Sequence, residues 1–111
     1  MGVTDTEVLR KDNRYELWVD GKLAGLAAYA DRDEQRVFHH TEVNHAYRGQ
    51  GLSTVLIERA LADAKASGKR IVPVCPAVAA YLGKHDGFAD VTDPVTDETL
   101  DWIEGLFDKK R

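Results

Sequence analysis

Thr41-Glu42-Val43-Asn44-His45-Ala46-Tyr47-Arg48-Gly49-Gln50-Gly51-Leu52-Ser53 is the stretch where the periodicity of the chain changes. Strand-like runs precede it. After it, Leu52, Leu56, Ala60 and Ala64, with Ile57 and Leu61 beside them, recur at helical spacing. Two glycines between a strand and a helix offer anion-binding chemistry. Backbone N–H groups at a helix start lack intrahelical partners, and glycine lets a phosphate come close to them. Arg48 adds a charge-assisted donor. A plain connecting turn would use the same glycines for positive φ, so the loop alone leaves both readings open. Spacing excludes two known phosphate loops. A P-loop needs a lysine after its last glycine, and the dinucleotide fingerprint needs a third glycine within a parallel unit that starts at the first strand.

Upstream, residues 7–11 and 14–19 read as short strands, and Asp20-Gly21 is the pair that favours a type I′ hairpin turn. Residues 22–30 form the second arm, 31–34 a charged reversal, and 36–43 a further strand, which together make an antiparallel meander. Downstream, residues 52–67 are the helix, with Lys65 in its last turn and Gly68 beyond it. Residues 70–75 read as a buried strand, and a crossover helix implies that it pairs parallel to 36–43. Pro73 marks an edge or a local break in that strand. A short helix over 76–84 opens on proline. A turn near Asp86-Gly87 and a last strand at 88–91 follow. The tail 97–109 reads as an amphipathic helix with Thr96 as cap and Leu100, Ile103, Leu106 and Phe107 on one face. Its acidic start and basic end suit the helix dipole.

The chain has 111 residues, a net charge of −4 and one cysteine. That length predicts a single domain over 1–111, large enough for one core without staples. With 43% hydrophobic and 31% charged residues, the composition is that of a folded chain. One cysteine forms no intramolecular disulfide and supplies no cysteine-pair metal pattern, so no metal is expected, and a reducing, cytoplasmic location is favoured. No apolar run reaches signal-peptide or membrane-span length, so membrane and secretory classes are set aside. The acidic balance argues against a nucleic-acid partner. The expected class is α+β: a meander, a mixed sheet with one parallel pair, a crossover helix, a short helix and a helical tail.

The segment 42–53 resembles the acetyl-CoA-binding motif of the GNAT N-acetyltransferase superfamily, Gln/Arg-x-x-Gly-x-Gly/Ala, with Ser53 in the last small position. His40-Thr41-Glu42-Val43 before it and Ile71-Val72-Pro73-Val74-Cys75-Pro76 after the helix resemble a small, minimal-domain subfamily. The resemblance covers about 7–91 and leaves the helix at 96–109 outside. It implies an α/β-like GNAT fold in which 36–43 and 70–75 splay apart to admit pantetheine. It implies acetyl-CoA as cosubstrate on Val43, Arg48, Gly49, Gln50, Gly51, Leu52 and Ser53, and an amine acceptor, protein or small molecule. Backbone N–H groups near Val43 would then polarise the thioester carbonyl. A monomer or weak homodimer is expected.

His40 is the candidate base, because imidazole titrates near neutral pH and the subfamily carries a histidine just before this threonine. A hydrogen-bonded strand histidine is the plainer reading. Side-chain alternation directs neighbouring His39 to the opposite face. Cys75, near a helix N-terminus, is the candidate thiol, with an acetyl-cysteine route second to direct attack by the amine. A buried free cysteine more commonly packs as a small hydrophobe. Tyr81 lies seven residues before Phe88, where the usual pattern has five, and reads as packing. A non-catalytic acyl-CoA-binding or protein-interaction domain on the same fold is the alternative function. Only Asp12-Asn13 separates the first two strands, where larger GNAT enzymes carry two helices, so the acceptor side is expected to be open.

Overall fold

The computed structural model describes residues 5–47 and 49–108. Arg48 and the basic 109–111 lie outside the described residues, and the side chain of Phe107 is likewise not described. Five strands, β1 (Thr6–Arg10), β2 (Arg14–Val19), β3 (Lys22–Arg32), β4 (Gln35–Val43) and β5 (Arg70–Pro73), form one sheet in the order β1-β2-β3-β4-β5. The first four pair antiparallel and β5 runs parallel to β4. Helices α1 (Leu52–Ala66), α2 (Pro76–Lys84) and α3 (Asp97–Asp108) complete the α+β fold. No helix among the described residues is long and apolar enough to cross a membrane.

Local chemistry accounts for the elements. Asp20 and Gly21 have φ of 50° and 80°, the pair of positive values that a type I′ turn requires. The α1 stripe Leu52, Leu56, Ile57, Ala60, Leu61 and Ala64 is buried, and it packs on Tyr15, Leu17, Tyr29 and Phe38 of the sheet. Gly68, at φ 77°, follows the last turn of α1. Thr96 caps α3 by accepting from the Thr99 amide at 3.2 Å, as its side chain predicts.

The apolar face of α3 packs on the second face of the sheet. Ile103 is buried against Val37 and Val72, and Trp102 and Leu106 pack beside it. Arg32 lies over the Trp102 ring at 5.3 Å and pairs with Glu98 at 2.8 Å. The tail therefore covers part of this face.

The strand expected at 88–91 does not form. Ala89–Val91 is a 3-10 turn, and a single parallel bridge joins Ile71 to Thr92. The Phe88 carbonyl accepts from the Val91 amide at 3.1 Å and the Thr92 hydroxyl at 2.7 Å, so local bonds take the groups a ladder would need. Strand β5 also ends at Pro73 rather than at 75.

One polar network is built into the core. Arg36, only 4% exposed, donates to Asp31 through Nε (2.8 Å) and an Nη (3.1 Å), and through its other Nη to the Tyr15 hydroxyl (2.6 Å). Tyr15 in turn donates to Asp63 of α1 at 2.6 Å. Burial, then the bond to Asp63, holds the Tyr15 hydroxyl well above its ordinary pKa. The network ties β2, β3 and β4 to α1. Arg36→Ala strands a phenol and two carboxylates, and is expected to lower the unfolding free energy by about 3 kcal/mol. Tyr15→Phe should cost about 1–2 kcal/mol. Urea titration of both variants checks this, and a change below 0.5 kcal/mol for Arg36→Ala contradicts it.

Candidate functional site

The β4–β5 ladder runs from Gln35↔Arg70 to Phe38↔Pro73 and stops. Proline has no N–H, and the next bond is from the Cys75 amide to the Phe38 carbonyl at 2.8 Å. Strand β4 continues to Val43 with only β3 beside it. The Asn44 amide donates to Ala24 at 2.7 Å. In an antiparallel pair the N–H groups alternate in direction, so the Val43 amide points away from β3, into the gap beyond β5.

That gap opens on a cavity of about 700 Å³ lined by Thr41, Val43, Tyr47, Gly49, Gly51, Leu52, Ser53 and Ala77, among others. Asn44 shapes its entrance: the side-chain oxygen accepts from the Ala46 amide at 2.9 Å, and the carbonyl from the Tyr47 amide at 2.9 Å. Gly49 and Gly51 take φ of 81° and 70°, and a Cβ built at either would meet nothing within 4 Å. Left-handed backbone, not crowding, therefore selects glycine here. Gly51 precedes α1, no side chain caps the helix, and its first turn carries no acidic residue. The opening amides face the cavity with the positive end of the helix dipole behind them, an arrangement suited to phosphate. The residues present thus fit an acyl-CoA: an anion cradle at one end and a strand amide at the other.

Of the loop residues expected to hold the cofactor, Val43, Gly49, Gly51, Leu52 and Ser53 line this cavity, whereas Gln50 does not, and Arg48 lies outside the described residues. Cys75 is buried, and its thiol donates to the Thr41 hydroxyl at 3.4 Å. Thr41 and Val43 share the face of β4 that α1 and α2 cover.

His40 is on the other face. It sits directly opposite Ala28 of β3, its side chain is 58% exposed, and Nε2 lies 3.4 Å from a Glu42 carboxylate oxygen. The structure does not bring His40 and Cys75 together. Nor does it place His39 and His40 on opposite faces, as simple alternation predicted. Ala28 pairs with His40 and Tyr29 with Phe38, so His39 is the extra residue of a β-bulge. His39 lines a groove with Ala28, the cross-strand neighbour of His40, so both imidazoles lie on one face. Tyr81 packs on the core and stacks on His85 at 4.2 Å. Burial and nearby Glu58 raise its pKa.

Gly25 is a residue that sequence reading missed. It sits opposite Val43, and a Cβ there would lie 2.6 Å from the Glu42 carbonyl oxygen and 3.1 Å from the Val43 Cα. An isolated glycine inside a strand run was the available signal, since it marks close backbone approach.

A parallel pair that parts after Pro73, a glycine loop and a crossover helix define an α+β domain with its cavity at the open end of β4. The chain belongs to the GCN5-related N-acetyltransferase family, whose sequence model matches residues 14–91. Enzymes of this family use acetyl-CoA. A GCN5-like protein from Staphylococcus aureus, known from its NMR solution structure, shares the fold with a TM-score of 0.62 at 20% identity, over 82% of this chain and 91% of that one. The ribosomal-protein-S18-alanine N-acetyltransferase of Escherichia coli does so with a TM-score of 0.54 at 21% identity, over 70% of this chain. The chain spans 54% of that enzyme's length. No curated protein matches the chain.

Two outcomes follow. Gly25→Ala should displace the end of β4 and weaken acetyl-CoA binding at least tenfold, read by isothermal titration; unchanged affinity would exclude a positioning role. Burial, with His40 second, holds His39 below the ordinary imidazole pKa, against the raising effect of a hydrogen bond that the imidazole donates to the Tyr29 backbone carbonyl. The unfolded chain therefore protonates first, and stability falls as pH drops below about 6.5. His39→Gln should flatten that part of the profile in urea melts between pH 5 and 7.

Proposed function

We propose that this chain transfers the acetyl group of acetyl-CoA to an amine, with His40 as base and the Val43 amide as donor to the thioester carbonyl. The observation that carries the reading is the gap beyond Pro73, which leaves the end of β4 facing the glycine-loop cavity. The pyrophosphate would rest on the amides of the loop and the start of α1, with Gly49, Gln50, Gly51, Leu52 and Ser53 around it and Arg48 as charge partner. Acetyl-CoA, when bound, would supply an activated acyl carbon: the acceptor nitrogen would bond to it as the carbon–sulfur bond breaks, and CoA would leave as the thiol on the proton that nitrogen gives up. The Val43 N–H, fixed by the β3–β4 ladder, needs no reorganisation to stabilise negative charge on an oxygen placed before it. His40 takes the proton of the acceptor ammonium, and the Glu42 carboxylate, 3.4 Å from Nε2, orients the imidazole.

Cys75 has a smaller part in this scheme. Its thiol is 5% exposed and donates to Thr41, and the candidate base lies across the sheet from it. Direct attack by the amine follows, and Cys75 supports the splay point through its amide and its packing.

Acetyl-CoA at about 100 times its Kd should raise the melting temperature by roughly 10 °C. Gly51→Val, which forces a β-branched residue to positive φ, should remove the shift. No shift in the wild type at millimolar acetyl-CoA contradicts the reading. With an amine acceptor, His40→Ala should lose about 100-fold in kcat while keeping the shift. Cys75→Ala should stay within a few-fold of wild type. Binding without transfer to any amine would make the chain an acyl-CoA-binding module instead, and acetylated Cys75 in an intact mass spectrum would restore the covalent route.

A further inference from the structure

A groove of about 420 Å³ lies on the sheet face away from α1. Its floor is one stripe of β3, Leu26, Ala28 and Ala30, with His39 of the bulge on one side and Leu106 of α3 as a wall. Two alanines in that stripe leave the volume that larger strand residues would fill. The β3–β4 register places Leu26 directly opposite Glu42 and Ala28 directly opposite His40. Side chains so paired share a face, with Cβ atoms about 5 Å apart. The groove therefore starts beside the His40–Glu42 pair and runs away from it toward the β1–β2 turn.

We propose that this groove receives the body of the acceptor, and that the substrate is an amine carried on an uncharged, apolar or aromatic chain. The inference rests on the acetyltransfer reading and names its substrate class. Glu42, with a side chain 62% exposed, supplies the negative charge an ammonium needs at the His40 end. At the far end stand Asn13 and Arg14. Arg14 is already matched, with Nη2 2.7 Å and Nε 2.9 Å from Glu16 Oε2, so it offers little to an acidic substituent. Burial holds His39 below the ordinary imidazole pKa, which disfavours a charge on the walls. Polycationic and acidic acceptors find no complement along the apolar floor. Leu106 lies beyond residues 14–91, so one wall comes from a helix outside the family match.

The test is a steady-state assay with acetyl-CoA and four amines: 2-phenylethylamine, methylamine, spermidine and phenylalanine. The expected order places 2-phenylethylamine first in kcat/KM by at least tenfold. Ala28→Leu, which fills the floor, should raise its KM at least tenfold while leaving methylamine kinetics and acetyl-CoA affinity within twofold. Leu106→Ala, on the surface helix, should raise the same KM several-fold and keeps the test available if Ala28→Leu does not fold. Equal or better use of spermidine or phenylalanine, or a selectivity unchanged in both variants, overturns the groove while the transfer reading stands. Wild-type protein that binds acetyl-CoA and acetylates none of the four overturns this inference, whereas the transfer reading falls only if no amine, protein amines included, accepts the acetyl group.

Discussion

Everything at the candidate site depends on the β4–β5 ladder stopping at Pro73. A parallel strand that continued beside β4 would take up the amides of Thr41 and Val43 and close the gap. Proline removes one donor, and the chain then turns so that the Cys75 amide reaches the Phe38 carbonyl and Cys75 itself becomes the residue before α2. With Pro76 at the first helical position, the backbone is committed to a helix within three residues of the last ladder pair. Two prolines thus end one element and start the next. The unpaired edge of β4 is what remains.

An interrupted sheet needs stiffness elsewhere, because one exposed edge would otherwise let β4 shift. The Arg36 network supplies it on the same strand, two residues before the last ladder pair. A buried guanidinium bonded to Asp31 and Tyr15 and lying 4.4 Å over the Tyr29 ring fixes β4 to β3, and Tyr15 passes that restraint to Asp63 on α1. Gly25 fixes the other end by letting β3 approach the Glu42 carbonyl more closely than any side chain would allow. The mouth of the cavity is held between these two points.

Much of this was legible in the residues, for local reasons. Asp20-Gly21 dictates its turn, the stripe from Leu52 to Ala64 dictates a helix with one buried face, and Thr96 caps the helix that follows it. The glycine loop was legible because only glycine accepts the φ values at 49 and 51 without strain. What escaped depends on register. Phe88 to Val91 carries strand-like apolar residues, yet neighbouring bonds to the Phe88 carbonyl close a turn before a ladder can form. The cover that α3 gives the second face depends on Ile103 meeting Val37 and Val72, a contact between segments far apart in sequence. The resemblance pointed to His40 and Cys75 together, and no local signal placed them on opposite faces.

The bulge at His39 explains that separation and gives the site its two-sided character. In β4, Arg36 and Phe38 face α1. Unbroken alternation would send His40 and Glu42 to the same side, into the core, and would turn Thr41 and Val43 out. One extra residue reverses the parity for the rest of the strand. Thr41 and Val43 then meet Cys75 and the glycine-loop cavity, while His40 and Glu42 join His39 on the face that α3 partly covers. A single inserted residue in one strand thereby puts a cofactor-sized cavity on one face and a titratable pair on the other. Because β5 has already ended, nothing in the sheet lies between them along the edge of β4. Two ligands entering from opposite faces could meet there without either displacing the core.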